Sequence, residues 1–330
     1  MLNKNFNLSE KIFTEEIEQK PTRDGYGNGL VEIGGQNPGV VVLCADLAES
    51  TRSLWFKEKY PERYIEMGVA EQNMAAVAAG LAVSGKIPFI SSYAVFSPGR
   101  NWEQIRTTAC YNNANVKIAG AHAGVSVGPD GATHQAIEDI ATTRVIPNMK
   151  VFVPCDAIEA KKATIAAGKI YGPVYLRFAR EATPVMTAEE TPFIPGKAEI
   201  FWESKKPVCA IIACGPLLYN ALIAAKELED EGINTLVVNN HTIKPLDEKK
   251  IIEVAKKCKA VVTVEEHNII GGLGGAVAET LAKKCPTPME FIGMNDCFGE
   301  SGQQEELIKK YDMDVKSIKA AVKKVIKRKK

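Results

Sequence analysis

Short apolar runs without polar alternation recur along this 330-residue chain, and segments of helical period separate them. GVVVLCADLA (39–48), IPFISSYAVF (87–96), VKIAGAHAG (116–124), KVFVPC (150–155) and PVYLRFAR (173–180) read as strands. VAEQNMAAVAAGLAVSG (69–85), RNWEQIRTTACYNN (100–113), HQAIEDIATTRV and AIEAKKATIAAG read as helices. A strand that is apolar at every position has both faces covered, and strands separated by helices pair in parallel. The chain is therefore expected to be α/β, built on a parallel sheet. The alternation pauses near Glu181, where ATPVMTAEETPFIPGKAEIFWESKKP carries several prolines and no period. It resumes with VCAIIACG, ALIAAKELEDEG, INTLVVNN, EKKIIEVAKKC, KAVVTVEE and AVAETLAKKC. This length exceeds what one core usually holds. The expected division is a first domain at 1–185, a linker at 186–205 and a smaller α/β domain at 206–330.

The charge balance excludes several classes of function. A formal net charge of +1 gives no electrostatic basis for binding nucleic acid. The basic end KKVIKRKK is local and reads as a solvated helix terminus. No apolar run has membrane-spanning length, so no membrane association is expected. MLNKNFNLSEKIF lacks the apolar core of a signal peptide, so the expected location is cytoplasmic and the NLS and NHT triplets carry no meaning as glycosylation acceptors. The eight cysteines show no CxxC pair or zinc spacing, and several lie in apolar runs, as expected of reduced, buried thiols.

In an open parallel sheet, ligands bind beyond the carboxyl ends of the strands. That rule selects Asp46–Ser50, Tyr93–Arg100, His122–His134 and the end of VYLRFAR. Glu71 is the most telling residue, a carboxylate at the opening of a helix rich in alanine. Burying it costs several kcal/mol without a partner, and burial suits a carboxyl group to proton exchange or to hydrogen bonding a heterocycle. AHAGVSVGPDGATHQ holds two of the four histidines, His122 and His134, with Asp130 between them. Imidazoles there could exchange protons with hydroxyls or grip phosphate; capping the strand and the following helix is the alternative. Arg23, Arg177 and Arg180 are candidates for anion binding or for surface ion pairs. Arg177 and Arg180 are an odd step apart on a strand, so only one is expected to reach a pocket. Tyr93 and Phe96 could stack on a planar ring or pack in the core. GGLGGAVAE (271–279) lacks the βαβ context of a dinucleotide fingerprint and reads as close helix packing.

Taken together, PTRDGYGNGL, CADLAES, YIEMGVAEQNM, IPFISSYAVF, HAGVSVGPDGATHQAIED, VYLRFARE, VTVEEHNIIGGLGGAV and FGESG resemble the carboxyl-terminal half of transketolase, a thiamine-diphosphate enzyme. The resemblance implies a pyrimidine-binding α/β domain followed by a smaller carboxyl-terminal domain. It places Glu71 on the family's catalytic glutamate, which hydrogen-bonds the aminopyrimidine of the cofactor. It puts Tyr93 and Phe96 against that cofactor, with Asp46 near the thiazolium. His122, Asp130 and His134 match residues that touch the sugars, the two histidines with catalytic roles. Arg23, Ser50 and Arg180 match the group that holds the sugar phosphate, and Arg177 has no such role.

Full-length members carry an upstream domain with a GDG…N motif for magnesium and diphosphate. This chain has no GDG. The resemblance therefore implies a split transketolase. A partner subunit would hold the magnesium and the cofactor's diphosphate in a heterotetramer, and this chain would bind no metal. The implied reaction, one of the pentose phosphate pathway, moves a two-carbon ketol unit from a ketose phosphate such as xylulose 5-phosphate to an aldose phosphate such as ribose 5-phosphate. Half of a 1-deoxy-xylulose-5-phosphate synthase, a 2-oxoacid dehydrogenase beta subunit, and a non-catalytic regulatory subunit are the rival readings.

Overall fold

The computed structural model describes residues 1–329. The first group of apolar runs forms a seven-stranded sheet, in the order Thr242–Lys244, Lys150–Phe152, Val174–Arg177, Lys117–Ala121, Ile87–Tyr93, Val40–Cys44 and Tyr64–Glu66. All neighbours are parallel except the edge strand Thr242–Lys244. Val40–Cys44 shows why its sequence has no alternation. Val41 and Leu43 face a core shared with Met74, Ala75 and Ala78 of the helix Glu71–Val83. Val40 and Val42 face the opposite core, with Tyr26, Leu30 and Ile33 of the helix Thr22–Gln36 and Ala160, Ala163 and Ala167 of the helix Ala157–Lys169.

The second sheet has five strands, in the order Met289–Met294, Val261–Asn268, Cys209–Ala213, Thr235–Asn239 and Glu199–Glu203, with only the last antiparallel. The apolar cluster behind the helix Glu71–Val83 continues through Ala210, Ile212, Leu236 and Val238, so the two sheets share a core. The glycines of 271–279 behave as packing residues. A side chain at Gly274 would lie 2.6 Å from the Phe291 ring, and the buried Glu265 carboxylate accepts from Leu273 N and Gly274 N at the start of the helix Leu273–Lys284. Eight free cysteines include six that are buried, with Cys285 half-buried and Cys297 exposed.

Several expectations are corrected. Within 186–205, expected as a linker, Glu199–Glu203 forms the edge strand of the second sheet. Thr242–Lys244, expected within the second domain, completes the first sheet. The amino-terminal segment packs on the second core, where Ile12 and Ile17 join Phe201 and Trp202. The helix expected over 100–113 widens into a π-helical stretch at Ile105–Cys110. The helix after His134 begins only at Asp139, because Ala136 is already paired with Ala123 and its carbonyl accepts from Gly124 N.

Candidate functional site

The carboxyl ends of five parallel strands gather the selected residues. Asp46 and Ser50 follow Val40–Cys44, and Glu71 follows Tyr64–Glu66. Tyr93 ends Ile87–Tyr93, His122 follows Lys117–Ala121, and Arg180 follows Val174–Arg177. Arg23 comes from the first turn of the helix Thr22–Gln36. A series of side-chain contacts joins most of them. Arg23 donates to the Ser50 carbonyl at 2.9 Å, and its Nη1 lies 3.4 Å from His122 Nε2. The His122 ring stacks on Tyr93 with centroids 3.8 Å apart, and Tyr93 stacks on Phe96 at 6.0 Å. His134 stands edge-on to both Tyr93 and Phe96. Arg100 lies over the Phe96 ring at 4.6 Å and donates to Glu71 Oε2 at 2.7 Å.

Glu71 is only 1% exposed, as the alanine-rich helix demands. Its partner Arg100 is a residue the sequence reading missed, although a buried carboxylate calls for a cation and Arg100 closes the loop already singled out. Asn101 adds a second tie, donating to the Glu71 carbonyl at 3.1 Å. Glu66 was also missed. It accepts from the backbone N–H groups of Asp46, Met67 and Gly68 and so fixes the loop that presents Asp46. Asp46 is exposed and adopts a left-handed backbone with φ of 58°.

His122 is held neutral. Burial, with Arg23, Arg180, His134 and Arg52 adding positive charge, pushes its pKa down to about 2, so the ring is neutral near pH 7. With Nε2 facing a guanidinium, the ring proton belongs on Nδ1. That atom is buried without a partner, as is Arg23 Nε. Two unpaired donors in one cluster suit an oxygen-rich anion. Arg180 donates to the Val127 carbonyl at 3.1 Å and also pairs with Glu181. Asp130 is exposed on the same loop as His134. Arg177 is buried and turned away, bonded to Asp139 at 2.8 Å. A cavity of about 1250 Å³ is lined by Glu181, Asn220, Glu266 and Lys319 among others, and none of Glu71, Tyr93, His122 or His134 lines it.

Residues 18–186 match the family model "Transketolase, pyrimidine binding domain", and residues 196–318 match "Transketolase, C-terminal domain". The chain belongs to the transketolase family. Among solved structures it is similar to one described as a split gene transketolase, inactive beta4 tetramer, at 46% identity and a TM-score of 0.88, covering 94% of this chain and 99% of that one. It is 38% identical to the 6-deoxy-6-sulfo-D-fructose transketolase subunit SqwH of Clostridium sp. (strain MSTE9), over 96% of this chain and 98% of that protein. It is 35% identical to the transketolase of Homo sapiens over 92% of its own length, which is 49% of the human enzyme. The chain thus corresponds to the carboxyl-terminal section of a transketolase, a family that works with thiamine diphosphate. Among the described residues, no helix is long and apolar enough to cross a membrane.

Proposed function

We propose that this chain supplies the pyrimidine side of a ketol-transfer site that moves a two-carbon unit from a ketose phosphate to an aldose phosphate. The observation that carries the reading is the contact series from Arg23 through His122, Tyr93, Phe96 and Arg100 to the buried Glu71. One end of it offers a sequestered carboxyl group beside aromatic faces, and the other offers unpaired donors for an anion. Those two chemistries fit the two ends of the task. Thiamine diphosphate, when bound, supplies the electron sink for breaking and making the carbon–carbon bond.

Glu71, shielded from water by its alanine-rich helix, would hold the edge of the pyrimidine by a hydrogen bond. Arg100, on Oε2, offsets the cost of burying that carboxylate. Tyr93, Phe96 and Asp46 would be this chain's further residues for holding the cofactor. His122, neutral and carrying its proton on Nδ1, donates to a sugar oxygen. His134 and Asp130 complete the sugar contacts, and Arg23, Arg180 and the Ser50 segment hold the phosphate. A partner chain carries the magnesium and the diphosphate, and two copies of each chain assemble together.

Mixing this chain with an amino-terminal transketolase subunit, thiamine diphosphate and magnesium tests the proposal. Xylulose 5-phosphate and ribose 5-phosphate are expected to yield sedoheptulose 7-phosphate, and no product from a correctly assembled complex would refute it. The arginine cluster suits a sulfonate as well as a phosphate, so 6-deoxy-6-sulfo-D-fructose, for which the Clostridium relative is named, is the second donor to assay.

A further inference from the structure

We propose that the second domain positions the sugar-binding loop, with Glu266 as its principal grip; this rests on the function proposed above. Two segments, VTVEEHNIIGGLGGAV and FGESG, have no place in the chemistry so far. In the fold both converge on the loop that carries Asp130 and His134.

That loop needs outside support. It is closed at its base by the pairing of Ala123 with Ala136, and between them Gly124, Gly128 and Gly131 all adopt positive φ. Glycines in such conformations are costly to order, and a loop rich in them does not fix itself. Glu266, on the strand Val261–Asn268, accepts from Ser126 N at 2.5 Å. Gly124 faces the same carboxylate, with no room for a side chain in between. Gln135 bridges the loop's Val125 carbonyl, at 3.0 Å, to the Glu300 carbonyl of FGESG, at 2.9 Å. At the base, Arg177 donates from one Nη2 to the carbonyls of Ala136 and Glu266, at 3.2 and 2.8 Å, while Asp139 neutralises it. Asn268 N donates to the Ile137 carbonyl at 2.8 Å. Gly131 would meet Ser301 Oγ if it carried a side chain, so the outer turn also rests on FGESG.

Each anchor joins a backbone group of the loop or its base to the second domain, and none touches the Glu71 end of the site. The consequence is a separation of effects: the grip governs how the sugar is held, and cofactor capture proceeds without it. Glu266 and Arg177 are therefore positioning residues.

Glu266→Ala and Glu266→Gln, each assembled with the partner chain, thiamine diphosphate and magnesium, test this. Losing this buried hydrogen bond is expected to raise the sugar-phosphate KM about tenfold in Glu266→Ala, with kcat and cofactor half-saturation within about twofold. Glu266→Gln keeps an oxygen for Ser126 N and is expected to recover most of that loss. An unchanged KM in Glu266→Ala, equal loss in both variants, or cofactor half-saturation rising in step with KM would overturn the proposal. Amide hydrogen exchange on the chain supplies a readout independent of turnover. Ser126 is expected to be protected in the native chain, and Glu266→Ala to lose protection over 124–136 while Ile87–Tyr93 keeps it. Fast exchange at Ser126 in the native chain would refute the grip even where Glu266→Ala fails to fold. An assembled native complex without ketol transfer, but with Ser126 protected, would refute the function and leave the grip standing.

Discussion

Glu71 and Arg100 form an asymmetric pair, the carboxylate side chain 1% exposed and the guanidinium side chain 46% exposed. Water screens the arginine, so the pair contributes little to stability. Its use is to keep an acidic group inside an apolar helix start without leaving it uncompensated. Glu71→Gln preserves size and a hydrogen-bonding oxygen for Arg100 but removes the carboxylate. Turnover of the assembled enzyme is expected to fall by about 100-fold or more, with the melting temperature of the chain nearly unchanged. A kcat near that of the native enzyme would remove Glu71 from the chemistry. His122 shows what sequence could not reveal at this scale. Its place in a glycine-rich loop marked it as a candidate, yet its neutrality comes from burial and from arginines distant in the chain. Arg100 was hidden for the same reason, since nothing local to Glu71 points 29 positions ahead.

Among the elements, the apolar strands were legible because covering both faces leaves no alternation, and the loops at their carboxyl ends followed from the geometry of a parallel sheet. Val40–Cys44 and Val174–Arg177 lie inside the runs read from sequence. Tyr64–Glu66 was not legible, being a three-residue edge strand without an apolar run. Nor was the glycine spacing of TRDGYGNGL, which proves to be a contact surface. A side chain at Gly25 would strike the Ala157 carbonyl, and one at Gly29 would come within 2.6 Å of Thr164 Cβ. These glycines let the helix Thr22–Gln36 approach the helix Ala157–Lys169, and that approach sets where Arg23 emerges. Gly25→Ala is expected to destabilise the chain by about 1–3 kcal/mol through overpacking against backbone. The sugar-phosphate KM is expected to rise as Arg23 shifts. Gly80→Ala is the contrast, because a side chain there meets nothing within 4 Å and the exchange favours helix. Thermal unfolding decides, and equal effects at the two positions would refute the packing argument.

Over the whole molecule, the junction of the two sheets contains a buried polar cluster with a proton to account for. Glu159, on the helix Ala157–Lys169 of the first domain, accepts from Cys155 N and from Asn239 Nδ2, each at 2.7 Å. Asn239 ends a strand of the second sheet and stands opposite Glu199 in the antiparallel register. Asn239 Oδ1 and Glu199 Oε2 are both buried and unpartnered. A proton on Glu199 would spare the cluster an unpartnered, buried carboxylate charge, while the Asn239 amide donates to Glu159. The electrostatics favour that proton. Burial first, and then the Glu159 carboxylate, raise Glu199 from 4.5 to about 8, with Lys162 pulling the other way. Glu159 is itself raised to about 7 by burial and by Asp156. A carboxyl group whose folded pKa is raised binds its proton more tightly in the folded state than in the unfolded one. Its contribution to stability is therefore present below the unfolded value and is lost as pH rises through the folded one. Glu199→Gln mimics the protonated acid at every pH. The variant is expected to melt close to the native chain at pH 5 and progressively above it toward pH 8.5, by roughly 2–4 °C for each kcal/mol that the native chain loses. The difference between the two proteins reports Glu199 together with its coupling to Glu159, while Lys117, His122 and His241 titrate alike in both. A melting difference that stays flat from pH 5 to pH 8.5 would place the proton elsewhere and leave the junction to its apolar contacts.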